Sequence, residues 1–220
     1  MGRLLSVVSD LHRRTSRDYL ARMVDEKIHC MEVARRYQQA FWDGDRRYGY
    51  GGYRYDGRWK VVAQRLIDQY RLADDAVILD VGCGKGFLLY ELSALLPRAT
   101  VVGFDISRYA LREAKAELSG KLIELDAAAS YPFADQSFDL VISLTTLHNL
   151  PLPELDRALR EIARVGRDGY LVVESFRNTT ELFNLQCWAL TCESFLRPES
   201  WCFVFDRAGY RGDYEFIYFE

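Results

Sequence analysis

From Ala76 onward, apolar runs alternate with amphipathic stretches. The run Ala76–Val81, broken only by Asp80, predicts a strand buried on both faces. Phe87–Leu96 predicts a helix that stops before Pro97. Thr100–Phe104, Lys121–Leu125, Phe138–Ser143 and Tyr170–Ser175 predict four more strands. Ser107–Leu118 predicts a helix, with Ser107 as N-cap and Gly120 as stop. Pro153–Val165 predicts another, with Leu155, Ala158, Leu159, Ile162 and Val165 on one face. Strands alternating with helices in this order predict a parallel sheet covered by helices on both sides. The tail predicts helices over Leu182–Leu196 and Trp201–Ala208. A last strand, Tyr214–Phe219, is expected beside the fifth. Ahead of this body, residues 1–42 and Lys60–Tyr70 have helical spacing. Between them, residues 43–59 hold five glycines and four tyrosines and predict a loop. The expected division is an N-terminal helical segment with a Tyr/Gly/Arg-rich lid over residues 1–75, then an α/β domain over 76–220.

Composition narrows the function classes. The 220 residues are 49% hydrophobic and 28% charged, ordinary for a globular chain. No apolar run is long enough to span a bilayer. The net charge of −3 argues against a dedicated nucleic-acid binder, although residues 1–75 carry a balance of +4. Five cysteines without a Cys-x-x-Cys pair support neither a disulfide framework nor a zinc site, so no metal is expected and the cytoplasm is the expected location.

The chemistry concentrates in Asp80-Val-Gly82-Cys83-Gly84-Lys-Gly86, placed after the first strand and opening a helix. Glycines there permit a tight turn and close approach of a ligand to the backbone. A dinucleotide fingerprint would need its third glycine where Phe87 stands, and the lysine-serine/threonine ending of a phosphate loop is absent. The pattern acid-x-Gly-x-Gly-x-Gly resembles motif I of class I S-adenosylmethionine (SAM) dependent methyltransferases. Phe133-Ala-Asp-Gln-Ser-Phe-Asp-Leu-Val-Ile-Ser-Leu144 resembles the stretch leading into that family's fourth strand.

The resemblance covers about the central half of the chain. It implies a Rossmann-like fold with a mostly parallel seven-stranded sheet, SAM as cofactor and S-adenosylhomocysteine as product. It places Asp80 near the amino-acid part of SAM, with Gly82, Cys83, Gly84 and Gly86 passing against it. Asp105, followed by Ile106, would bind the ribose hydroxyls; Asp126 and Ala127 would meet the adenine. Ser143 and Leu144 would flank the cofactor. Two positions depart from the family pattern: Lys85 replaces a small or polar residue, and Val165-Gly-Arg-Asp-Gly169 replaces Leu-Lys-Pro-Gly-Gly.

The acceptor is expected beyond the carboxyl ends of the strands. The loop Thr145–Pro153 lacks the Asn/Asp-Pro-Pro-Tyr/Phe signature of base or glutamine methylation. His148 is the candidate base, against the simpler reading that it orients its loop. Tyr48, Tyr50, Tyr53, Tyr55, Arg58 and Trp59 are candidates for a lid over cofactor and acceptor. Phe176, Arg177 and Asn178 are candidates for the acceptor pocket. The leading expectation is methyl transfer to a small molecule of sugar or secondary-metabolite type, oxygen favoured over nitrogen. The alternatives are an RNA or protein methyltransferase and a non-catalytic SAM-binding regulator. No membrane partner is expected, and monomer and homodimer remain open.

Overall fold

The structure, a computed structural model, describes residues 2–13 and 15–220. Six strands form one sheet: β1 (Val77–Val81), β2 (Thr100–Asp105), β3 (Leu122–Glu124), β4 (Phe138–Leu144), β5 (Gly166–Glu174) and β6 (Asp213–Ile217). Their order is β3-β2-β1-β4-β5-β6, with every neighbouring pair parallel. The order reverses between β1 and β4, so the connections leaving their carboxyl ends diverge and open a crevice there.

Strand periodicity sorts the side chains into two cores. Ile78, Leu140, Ile142, Tyr170 and Val172 face one side. Leu79, Val81, Val141, Leu171 and Val173 face the other. The first side is covered by α5 (Trp59–Tyr70), α6 (Phe87–Leu95) and α9 (Thr179–Trp188), the second by α8 (Leu152–Val165) and α10 (Pro198–Arg207). By the same two-residue period Asp80, Leu144 and Glu174 share the α5–α6–α9 side. That parity determines which residues can meet in the crevice.

Three sequence expectations are revised. The tail helix expected over Leu182–Leu196 is α9, Thr179–Trp188, and residues 189–196 lie outside any helix. The Ser107–Leu118 helix is broken: α7 covers only Arg108–Arg112, and a separate 3₁₀ turn follows at Ala116–Leu118. Ser107 does cap, its Oγ accepting from Ala110 N at 3.1 Å. The break lets Leu118 enter the core against Gly86. The sheet has six strands among the described residues rather than seven. Beyond β6 the chain's own beginning runs alongside, with Leu5 N donating to Tyr214 O at 2.8 Å and Tyr214 N to Arg3 O at 3.0 Å.

Residues 2–43 form this strap and four short helices: α1 (Ser9–Arg13), α2 (Tyr19–Val24), α3 (Lys27–Ala34) and α4 (Gln39–Asp43). The buried Glu215 carboxylate anchors the strap. It accepts from Val7 N and Ser9 N at 2.6 Å each, Val8 N at 3.1 Å, and the hydroxyls of Ser9 and Tyr170. No described helix is long and apolar enough to cross a membrane.

Candidate active site

The crevice begins at the loop after β1. Gly82 and Gly84 both have positive φ, +77° and +55°. A Cβ at Gly82 would lie 2.7 Å from Thr146 Cβ, and one at Gly84 would lie 2.8 Å from the Trp42 ring. The loop is tied to β2: Gly82 N and Cys83 N donate to Phe104 O at 2.9 and 3.0 Å. Asp105 Oδ2 accepts from Gly84 N at 2.8 Å, and its Oδ1 from Ser107 N at 2.8 Å. Each carboxylate oxygen keeps a further acceptor site.

Asp80 sits beneath this loop, buried, with no hydrogen bond to its carboxyl among the described residues. Burial, reinforced by the Asp105 charge, pushes its pKa up to about 8. An unpartnered carboxyl facing a cavity is a site where a cation would be stabilised.

A cavity of about 310 Å³ runs from this loop along the carboxyl ends of the strands. Asp80, Gly82, Cys83, Gly84 and Leu144 line its near end. Its far end is formed by His148, Glu174, Trp188 and Phe219, with His12 and Arg17 of the N-terminal segment. Its volume is at the lower end of the range for small-molecule sites.

The other sequence candidates lie outside that lining. Ser143 Oγ donates to Val81 O at 2.8 Å inside the sheet. Ile106 is exposed, Ala127 buried, and Asp126 Oδ1 accepts from Ala128 N at 2.8 Å. Gly86 opens α6 and packs toward Leu118.

The 43–59 segment divides. Tyr50, Tyr53, Arg58 and Trp59 form cavity wall. Tyr50 Oη is fixed by Leu190 N at 2.7 Å and Thr191 N at 3.1 Å. Tyr53 stacks edge-on against Trp42, centroids 4.6 Å apart. Tyr48 and Tyr55 point elsewhere, the former to His29, the latter to Glu91 (2.8 Å) and Lys115 (3.8 Å). Tyr50 and Tyr53, an odd number of residues apart, would lie on opposite faces of a strand; positive φ at Gly51 and Gly52 turns the chain so that both face the cavity.

The structure also accounts for Lys85. Its buried ammonium binds both oxygens of Asp43 at 2.7 Å, and Tyr109 Oη donates to the same carboxylate at 2.8 Å. The pair ties α4 to the glycine loop and holds Trp42 across Gly84. Trp42 Nε1 donates to Ser107 Oγ at 2.8 Å.

At the far end, His148 Nδ1 accepts from the backbone N–H of Glu174 at 3.2 Å. The ring proton therefore resides on Nε2, which lies 3.4 Å from Glu174 Oε2. Burial lowers the His148 pKa to about 3, so the ring is neutral. In this arrangement neither nitrogen has a free lone pair for an acceptor's proton. Burial raises the Glu174 carboxyl to about 8, partly offset by the charge of Arg17. Phe176, Arg177 and Asn178 do not reach the cavity. Phe176 is buried beneath Arg197, Arg177 pairs with Glu181 and Glu220, and Asn178 caps α9.

Sequence reasoning missed Glu174, Arg17, Trp188 and Trp42. Glu174 did leave a trace: an acid ending an otherwise apolar strand, four residues after Tyr170 and so on the same face. The other three depend on long-range packing that no local pattern encodes.

Residues 78–169 match a family model described as a methyltransferase domain. Over 112 residues the chain is 35% identical to a malonyl-[acyl-carrier protein] O-methyltransferase of Legionella pneumophila, covering 48% of this chain and 38% of the relative. Over 133 residues it is 34% identical to a ubiquinone/menaquinone biosynthesis C-methyltransferase of Syntrophotalea carbinolica, covering 58% and 54%. The chain spans about half or less of the length of these curated relatives. A Bacillus halodurans structure described as a methyltransferase matches with a TM-score of 0.54 and 22% identity, over 67% of this chain and 68% of that one. A chain of the Haloferax volcanii complex between the Trm112 methyltransferase activator and a methyltransferase matches with a TM-score of 0.54 and 18% identity, over 71% and 77%. These structural likenesses concern the fold.

Proposed function

We propose, from the match of residues 78–169 to a methyltransferase domain, that the protein is a class I SAM-dependent methyltransferase that methylates a hydroxyl of a small molecule enclosed beneath its N-terminal segment. The observation that carries this reading is one continuous cavity joining the glycine loop and unpartnered Asp80 to the Glu174–His148 pair, roofed by Tyr50, Tyr53 and Trp59. SAM, when bound, supplies a methyl group on a positively charged sulfur that leaves as a neutral thioether. Asp80 and the Gly82–Gly84 backbone would hold its amino-acid end, and the second lone pairs of Asp105 the ribose. Ile106, Asp126, Ala127 and Leu144 would border the rest, and Ser143 acts by fixing β4 to β1. Most of the barrier lowering comes from placing the acceptor in line and excluding water.

Glu174 is the group proposed to take the acceptor's hydroxyl proton as the new carbon–oxygen bond forms. His148 positions it, its Nε2 packed 3.4 Å from the carboxylate and its Nδ1 locked by the strand backbone. With its pKa near 8, Glu174 is mostly protonated at neutral pH, and the base form grows as pH rises. At saturating SAM, kcat/KM for the acceptor is expected to rise with pH and level off above about 8. Glu174→Gln is expected to lower kcat by ~100- to 10,000-fold and remove that rise, with S-adenosylhomocysteine affinity unchanged. Full activity in Glu174→Gln across the pH range would leave the base assignment without support.

Asp80 yields a second expectation. Its carboxyl is mostly neutral at pH 7 without ligand, and an ammonium beside it favours the charged form. Cofactor binding should therefore release a proton near pH 7. Calorimetry in buffers of different ionisation enthalpy reads this directly, and Asp80→Asn should abolish the release. A binding heat independent of buffer would contradict the assignment. The sign for folding is opposite. Both raised acids favour the folded state below their unfolded pKa values near 4, and that contribution fades as pH rises through about 8.

A further inference from the structure

The far end of the cavity contains a cation that the catalytic account does not use. Arg17 lies just before α2 and lines the cavity beside Trp188, Phe219 and Glu174. Its guanidinium is 5.4 Å from the ring centroids of both Trp188 and Phe219. Nη1 donates to His12 O at 3.2 Å and Thr15 O at 2.9 Å, and Nη2 contacts His12 Nδ1 at 3.1 Å. Those contacts use three of its five N–H groups. Nε is buried without a partner, and no carboxylate comes within ion-pair distance of Arg17 among the described residues.

Two more guanidiniums surround the same tryptophan. Arg22 lies 4.8 Å and Arg46 5.2 Å from its ring centroid. Their hydrogen bonds go only to backbone carbonyls, of Trp188, Arg46 and Gly49 for Arg22 and of Gly49 for Arg46. Three cations thus surround Trp188 without a carboxylate partner among the described residues. Arg58, the other arginine on the cavity wall, is already neutralised by Asp56 at 2.5 Å. Arg46 is exposed, but Arg17 and Arg22 are half-buried without a counter-charge, a cost that is recovered if a ligand brings the anion. Glu174 does not serve, because burial keeps it largely protonated at neutral pH.

We propose that the acceptor is a small hydroxy acid whose carboxylate docks on Arg17, with its apolar or aromatic body against Trp188 and Phe219 and its hydroxyl at Glu174. This rests on the methyltransferase reading and adds a substrate class to it. A monoanion is favoured over a phosphate ester. Three of the Arg17 donors are already engaged, and only one guanidinium reaches into this end of the cavity, too few groups to satisfy a dianion.

The test uses the full chain with S-adenosylhomocysteine bound and calorimetric titration of three probes: 4-hydroxybenzoate, 4-hydroxybenzamide and phenyl phosphate. The expected result is binding of 4-hydroxybenzoate at least ~10-fold tighter than of the amide, which is nearly isosteric but uncharged. Arg17→Gln should erase that difference without altering S-adenosylhomocysteine affinity, and Arg17→Lys should restore part of it. Equal affinity for acid and amide, stronger binding of phenyl phosphate, or an unchanged preference in Arg17→Gln would overturn the proposal. If Arg17→Gln does not fold, the acid–amide comparison in the unmodified protein decides alone. Failure of S-adenosylhomocysteine itself to bind would instead count against the methyltransferase reading.

Discussion

Gly82→Val is expected to abolish measurable S-adenosylhomocysteine binding, weakening it by ~100-fold or more, while the sheet still folds. The residue is held at φ +77°, a conformation that costs a β-branched side chain roughly 1–2 kcal/mol. The new Cβ would also collide with Thr146, whose Oγ1 donates to Gly82 O at 3.3 Å. Relief requires the loop to move away from β4, which shifts the Gly84 N–H off Asp105 and closes the space above Asp80. Binding lost through such displacement depends on geometry rather than charge, and ~1 Å is enough to cost two orders of magnitude. Gly120→Ala is the control. Its φ is +74°, but nothing lies within 4 Å of its would-be Cβ. It should cost about 1 kcal/mol of stability and leave the affinity unchanged. Equal losses in the two variants would show that backbone strain, not the cradle, controls binding.

Glu215→Ala should produce the largest loss of stability, about 3 kcal/mol, and should release the strap. Removing the carboxylate leaves the N–H groups of Val7, Val8 and Ser9 and the Tyr170 hydroxyl without their acceptor. Each buried orphan costs about 1–3 kcal/mol, a sum the chain limits by letting residues 3–9 peel into water. Amide protection at residues 7–9 should therefore collapse while β1, β4 and β5 keep theirs. Arg17 follows the strap in sequence and loses its fixed position, so the acid–amide preference should fall as well. Gln at position 215 keeps one acceptor oxygen and should lose less. Full protection of residues 7–9 in the alanine variant would mean that packing of Val7 and Val8 alone holds the strap.

The parts legible from sequence are those whose cause is local. The apolar run around Asp80, the three glycines and the helix after them fix the β1 loop within eleven residues, and the structure has the predicted strand, turn and helix there. The tail strand likewise pairs with β5. Less was legible where the cause is distant. The break after α7 depends on Leu118 seeking the core beside Gly86. The role of Lys85 depends on Asp43, forty-two residues earlier in the chain. The tyrosines of residues 48–55 have no single-face spacing, and Tyr50 and Tyr53 reach the cavity together because positive φ at Gly51 and Gly52 turns the chain between them. From sequence, the place of His148 in the loop after the fourth strand and the usual imidazole pKa make it a candidate base. Its tautomer, which leaves Glu174 rather than His148 to accept a proton, is set by one backbone N–H that only the folded β5 supplies.

The central claim is that the cofactor and a small acceptor share the cavity between the glycine loop and Glu174. The most direct measurement is a crystal structure of the full chain with S-adenosylhomocysteine bound. The account predicts the homocysteine amino group at Asp80, the chain of the ligand against Gly82 and Gly84, and its sulfur facing the space in front of Glu174. Ligand lying elsewhere, or with its sulfur turned away from Glu174, would contradict it.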